Sequence, residues 1–386
     1  MKTVILATLA LSFVTSAAHA SLKSTEPQNQ ALLKSLKPFK GLEKVGSSED
    51  KQSETLLEIF TKIQNEGRKS NIGLSRATHA KGLCYNASVK IYSSDELAKS
   101  GSRADLIPRL QKGVFATSGT LPAWVRFANA KGDRFADTAG DVRGFSMSLD
   151  TTGRTTALNG DAAQDFMMNS SPMFAVKNIT EFTELMKAAR LAQKDFSYFL
   201  NPLYIPAVLR AKNLLDRYER NDTLSYATEN YWSNLAYSHG VNKDGTAQEV
   251  VKYKVTPCDG LGDRHESSNG KAANYLALDI DERAAKGEVC FNLQAQLFDQ
   301  KALIANGLHT DWTATDWIEN GGELWDETVL PFHTIAKITV SKRLACENLG
   351  VNTLLHSTRA NQPLGSIARV RARVEENSRS RRTQVP

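Results

Sequence analysis

No Cys-x-x-Cys pair occurs among the four cysteines of this chain, Cys84, Cys258, Cys290 and Cys346, and their spacing fits no zinc motif. In an oxidising compartment an even count permits two disulfides, with three possible connectivities; four buried thiols are the alternative. Internal repeats and low-complexity blocks are absent, which excludes a repeat array. No segment beyond the first 20 residues is apolar enough to cross a membrane as a helix, so stable membrane insertion is not expected. Charge of one sign is not in large excess. The 48 Lys and Arg residues against 42 Asp and Glu give a net charge of +6, too mild in 386 residues to imply a nucleic-acid partner. Tyrosine disappears after Tyr275, leaving the last 111 residues without a phenol.

What is present begins with Met-Lys-Thr-Val, an apolar run from Val4 to Val14, and Ala18-His19-Ala20 before Ser21. A positive start, a short apolar core and an Ala-x-Ala exit read as a secretory signal; a buried N-terminal helix is the alternative. Residues 1–20 are therefore assigned as a signal peptide, and the mature chain is expected to be periplasmic or secreted. Removing them takes away Lys2 and no acid, so 47 basic residues face 42 acidic ones and the net charge falls to +5. Residues 21–50, rich in Lys, Ser, Gln and Glu, read as an exposed arm, and residues 51–386 as a single domain.

Apolar spacing predicts an amphipathic helix over 54–64 and further helices from Asn178, over 203–219, and over 366–382. Asn178 offers an N-cap with Glu181 three residues on. Alternation predicts strands over 83–92, 142–149, 250–255, 288–297 and 334–340. The mixture is α+β with antiparallel strands.

One ordered series carries chemistry. It opens with Arg76-Ala-Thr-His79-Ala-Lys-Gly82 and continues through Trp124-Val-Arg126-Phe127 and Asp141-Val-Arg143-Gly144-Phe145. It closes with Asn169-Ser-Ser-Pro172-Met-Phe174 and Phe182. Imidazole exchanges protons near neutral pH, and a carboxamide donates a hydrogen bond without titrating. Arginine forks suit carboxylates, and an arginine inside the apolar run around Trp124 calls for a partner. Each residue alone has an ordinary reading: a loop histidine, a turn asparagine, core aromatics, surface cations. Asp137, Asp141 and Arg143 read as scaffold pairs.

In order and spacing the series resembles the distal half of a catalase haem pocket. The resemblance covers roughly residues 70–195 and returns over about 325–380. It implies a catalase-like antiparallel β-barrel core with surrounding helices and haem b as cofactor. His79 would be the proton shuttle and Asn169 the peroxide-orienting donor. Arg76 and Arg126 would bind the haem propionates, Phe174 and Phe182 would line the pocket, and Phe182 would lie against the haem plane. A small-molecule peroxide would be the substrate, hydrogen peroxide or an organic hydroperoxide. Catalases usually have a serine two residues after the propionate-binding arginine; here Ala128 stands there.

The proximal side departs further. Catalases hold iron with a tyrosinate in the pattern Arg-x-x-x-Tyr. Here Pro363-Leu-Gly-Ser-Ile, which resembles a branch of small bacterial catalase-like haem proteins, leads to Arg371 and, at the tyrosine position, Glu375. Glu375 is the candidate iron ligand with Arg371 as its support. An i,i+4 ion pair with no bond to iron is the alternative, and His356 is a fallback ligand. The function expected is an exported haem protein that reduces peroxides. The alternative is a non-enzymatic haem- or ligand-binding protein on the same fold. Oligomeric state is not legible.

Overall fold

The computed structural model describes residues 38–69, 76–131, 135–154, 162–192, 202, 205–219, 223–261, 272–345 and 361–383. Nine strands run in chain order: β1 (Gly82–Ile91), β2 (Gly119–Asn129), β3 (Arg143–Asp150), β4 (Ala163–Asn169), β5 (Tyr231–Trp232), β6 (Tyr237–Ser238), β7 (Val250–Pro257), β8 (Val289–Leu297) and β9 (Phe332–Leu344). They form one sheet in the order β5-β4-β3-β2-β1-β9-β8-β7-β6, every pairing antiparallel. A further pairing of β5 with β7 closes eight of these strands into a barrel and leaves β6 hanging on β7. The long helices are α1 (Glu49–Lys69), α2 (Ile179–Ala192), α3 (Ile205–Tyr218), α4 (Tyr275–Lys286) and α5 (Ser366–Thr383). Among the described residues no helix is long and apolar enough to cross a membrane.

The barrel interior is filled. Tyr85, Phe127, Phe145, Tyr231 and Phe291 form one set of touching rings, and Phe115, Phe166, Tyr237 and Tyr253 another. A small barrel plugged by its own side chains has no room for a large ligand inside. The period-2 alternation then fixes the outer face. Val125, Phe127, Phe145, Met147, Phe166 and Met168 point into the core, so Arg126, Ala128, Gly144 and Asn169 lie on the outer wall.

Helices α1, α2, α3 and α5 pack on one another as a layer. Ala77, just before β1, is buried with Leu56 and Phe60 of α1, Ile179 of α2, and Val370 and Val374 of α5. That apolar cluster draws the loop before β1 against the C-terminal helix. Helix α2 starts as its sequence predicts. The Asn178 side chain accepts from the backbone N–H groups of Thr180 and Glu181, and Glu181 Oε2 accepts from Lys177 N.

Residues 38–50 are mostly exposed but are tethered at a few buried positions. Phe39 is buried with Trp317, Trp325 and Leu364. The Glu43 carboxylate accepts from the backbone N–H of Phe39 and of Gly365 and from Arg369 Nη1. One aromatic side chain and one carboxylate suffice to anchor a segment whose composition is otherwise polar. Residues 1–37, including the signal and most of the expected arm, lie outside the described residues, as does His356. Cys258 and Cys290 form a disulfide, which realises one of the bridges the cysteine count permits, and no described cysteine is free.

Candidate functional site

His79 stands in the loop entering β1 with φ +56°, in the left-handed region that a non-glycine residue enters only when its surroundings enforce it. Here the backbone does so. His79 N donates to Ala130 O at 2.9 Å, and Asn129 N donates to Lys81 O at 3.0 Å, which zips the loop onto the end of β2. The imidazole then lies on Gly144 of β3. A Cβ at that glycine would stand 2.9 Å from His79 Nδ1 and 3.0 Å from Cε1, closer than side chains tolerate.

The sheet register places the remaining partners. Gly144 is directly opposite Ala128 on β2 and Asn169 on β4. Residues opposite one another in antiparallel strands share a face. Asn169 therefore belongs to the same row of the outer wall as the glycine that carries the imidazole. Asn169 Oδ1 accepts from Ser171 N at 3.0 Å, which turns the carboxamide so that its N–H donors remain for a facing group. Sequence-distant His79 and Asn169 are thus brought together on one wall.

Arg126 occupies the next row and is buried. Its Nη2 donates to the His79 carbonyl at 2.7 Å, and the guanidinium lies on Gly82, where a Cβ would be 2.3 Å from Nη2. A backbone carbonyl is therefore one partner of this cation, where the sequence called for a carboxylate. Arg76 is half-buried, and burial pulls its guanidinium below the ordinary arginine value. Burial first, then the positive charges of Arg126, Arg371 and Arg76, push the His79 imidazole down to about 3. The ring is neutral at physiological pH, with three guanidiniums arranged around it.

The C-terminal helix faces this wall. Arg371 Nη2 lies 3.3 Å from Glu375 Oε1, both side chains about one-quarter exposed. The Arg371 guanidinium also sits 5.5 Å over the Phe174 ring, which meets Phe182 edge-on at 5.5 Å; Phe182 continues to Phe60 at 6.2 Å. Glu375 is therefore engaged in the i,i+4 ion pair that its spacing permits. Asp137 and Arg143 are scaffold groups, as expected. Asp137 accepts from Lys81, Asn129 and Leu276 N, and Arg143 donates to Asn129 Oδ1 and to the Asp137 carbonyl.

Compared with solved structures, the chain resembles a fungal catalase (TM-score 0.55, 18% identity, covering 78% of this chain and 57% of that one). It resembles catalase A from Saccharomyces cerevisiae similarly (TM-score 0.56, 17% identity, 78% of this chain and 59% of that one). The fold is catalase-like. The chain spans less than two thirds of the length of these catalases. No family model and no curated protein matches it.

Catalase-like folds imply haem, and the residues on this wall can be tested against that group. Its two propionates need cations, and Arg76 and Arg126 are both close enough to lower the His79 pKa. Its flat face needs a wall without long projecting side chains, and the small residues Gly144 and Ala128 leave the His79 ring, seated on Gly144, as the surface offered there. An oxygen ligand for iron is available in Glu375, already ion-paired with Arg371. The donor set fits.

Three residues here carried no sequence signal of their role. Gly144 and Gly82 are cradles whose need is set by the third dimension. Tyr237 of β6 is buried and raised to about 12, first by burial, and it feels the charges of both Arg371 and Glu375. The catalase-like pattern has no marked position for it.

Proposed function

We propose that this chain is an exported catalase-like haem protein that reduces hydrogen peroxide or organic hydroperoxides. The observation that carries the reading is the row Ala128–Gly144–Asn169 with the His79 ring seated on its glycine. When bound, haem would supply redox chemistry at iron. Arg76 and Arg126 would hold its carboxylates, and Glu375, paired with Arg371, would hold its iron.

The chain's own part is proton handling. A neutral imidazole takes the proton from one peroxide oxygen and returns it to the other. The low pKa of His79 keeps it from being locked as imidazolium among three cations. The Asn169 amide donates to peroxide oxygen and orients it. Ala128 offers the imidazole no hydroxyl, so orientation falls to the backbone bonds of residues 79–81 and to the Gly144 contact.

The test is the absorption spectrum of protein expressed with ample haem, followed by peroxide decay. A Soret band with turnover supports the reading; a colourless protein that takes up no added haem defeats it. The Arg371–Glu375 ion pair favours a second reading, a haem- or ligand-binding protein without turnover. Glu375→Tyr separates the two. A rise in peroxide turnover of tenfold or more supports the enzyme, and a haem-loaded variant with no gain supports the binder. Export predicts a mature N-terminus at Ser21, read by N-terminal sequencing of periplasmic protein.

A further inference from the structure

Beyond Asn169 on the same sheet, where Trp232 of β5 is its register partner, β7 carries Lys252 and Lys254 two residues apart. Lys254 is neutralised conventionally: its Nζ lies 3.1 Å from Glu327 Oε2 and about 5 Å over the rings of Trp232 and Phe332. Lys252 is different. It is 6% exposed, yet its contacts are one backbone carbonyl, Glu323 O at 2.7 Å, and the face of Trp325 at 4.9 Å. A buried ammonium with no carboxylate in direct contact is costly.

Lys252 lines a cavity with room for one water-sized molecule, together with Trp232, Asn234, Gln296, Trp325 and Phe332. Two of these residues have buried donors left over. Among the described residues, the indole N–H groups of Trp232 and Trp325 have no hydrogen-bond partner. Unpaired buried donors are rare in folded proteins. The residues that carry these three donors, one of them cationic, line one space the size of a small acceptor. The amide N–H groups of Gln296 go to the carbonyls of Trp325 and Leu330, and Asn234 donates to Ser171 O; the Glu327 carboxylate, which also lines the cavity, is paired with Lys254.

We propose that this cavity binds a single anion of halide size, chloride in the cell, held by the Lys252 ammonium and the indole N–H groups of Trp232 and Trp325. A water molecule supplies acceptor lone pairs but no charge, and it brings two hydrogens of its own into a donor-rich space. A halide satisfies the donors and neutralises the cation at once.

The charged groups around Lys252 are Lys254, Glu327, and Glu323, whose carboxylate is engaged with His309 Nε2 at 3.2 Å. Burial lowers the Lys252 ammonium to about 7, with Glu323 opposing. Binding is therefore coupled to protonation of Lys252, and apparent affinity should fall about 100-fold between pH 6 and pH 9.

Crystals of the full chain grown without chloride and soaked in bromide provide the direct test. An anomalous peak within hydrogen-bond distance of Lys252 Nζ and at least one indole nitrogen is expected. Ordered water in the cavity at saturating bromide, or bromide at surface sites only, overturns the proposal. In solution, Tm should rise when bromide replaces gluconate at fixed ionic strength and pH 6. The rise should vanish in Lys252→Met and shrink in Trp232→Phe. An equal rise in Lys252→Met would overturn the proposal as well.

Discussion

Arg369 is the residue whose removal the structure makes most consequential. It stands one turn into α5 and reaches back to the N-terminal segment. Its Nη1 bonds Glu43 Oε1 at 2.7 Å, and Nε and Nη2 bond the two oxygens of Glu49 at 2.8 and 2.9 Å. Nη2 also donates to Lys44 O at 3.0 Å, and Glu319 Oε1 lies 3.5 Å away. Its side chain is 10% exposed, and that of Glu43 is 0%. These contacts raise the arginine above its ordinary value despite burial.

Arg369→Met keeps much of the volume but leaves three carboxylates facing one another around an apolar chain. Breaking a buried ion pair from one side costs about 3–5 kcal/mol. Glu49 and Glu319 retain some solvent, 10% and 17%, which favours the lower end, about 3 kcal/mol. Urea unfolding followed by tryptophan fluorescence reads this as a lowered midpoint at unchanged slope. Arg369→Lys should fall between, because it keeps the charge and loses the two-pronged contact with Glu49. Adding Glu43→Gln to Arg369→Met should recover at least about 1 kcal/mol by removing the most buried unpaired charge. Amide exchange over residues 366–376 should accelerate in Arg369→Met, since the clamp anchors the start of the helix. A midpoint within about 0.5 kcal/mol of the parent would refute the reasoning.

Other outcomes follow from the same coordinates. Gly144→Ala sets a methyl 2.9 Å from His79 Nδ1, so peroxide turnover should drop at least about tenfold for a stability cost of about 1–3 kcal/mol, read by steady-state kinetics beside urea melts. Acid should destabilise the fold: burial first lowers His79 to about 3 and His239 to about 4, so below the ordinary histidine value the unfolded chain binds more protons. Stability is then complete at neutral pH and lost as pH falls from about 6.5 towards 4, by about 3 kcal/mol for His239 alone, and urea midpoints at pH 7 and 4.5 measure it. Replacing Cys258 and Cys290 together by serine, which opens a separation of 32 residues, should cost about 3–4 kcal/mol in a denaturant series under oxidising conditions.

The sequence was most readable where one physical signal dominates. Alternation located β1, β3, β7, β8 and β9 to within a few residues, because each has one face on the aromatic core. It was silent on β2, where Val125 and Phe127 face the core while Trp124 and Ala128 face the covered outer wall, so apolar residues fall on both faces. Helix α4 was also missed. Asn274 at its start makes no side-chain cap bond, and its charged residues Asp279 and Arg283 are buried against each other rather than exposed. Phe39 and Glu43 were hidden by their polar neighbours.

At the site, order and spacing brought His79, Asn169, Arg126 and Arg371 into view. The positions that make their convergence possible, Gly144 and Gly82, cannot be told from turn glycines until the strands are paired. The Arg371–Glu375 contact was legible from i,i+4 spacing alone.

The plugged barrel has a further consequence. Because its interior is occupied, the candidate site is an exterior one, shared between two parts with separate origins of rigidity. One half inherits the stiffness of a closed sheet. The other is a C-terminal helix held by apolar packing and, near its first turn, by the Arg369 guanidinium. Replacing a residue on that helix changes what meets the wall without disturbing the wall itself, so the chemistry beneath a bound ligand can drift while the surface above it stays constant. A glutamate where catalases carry tyrosine is the kind of change this construction tolerates.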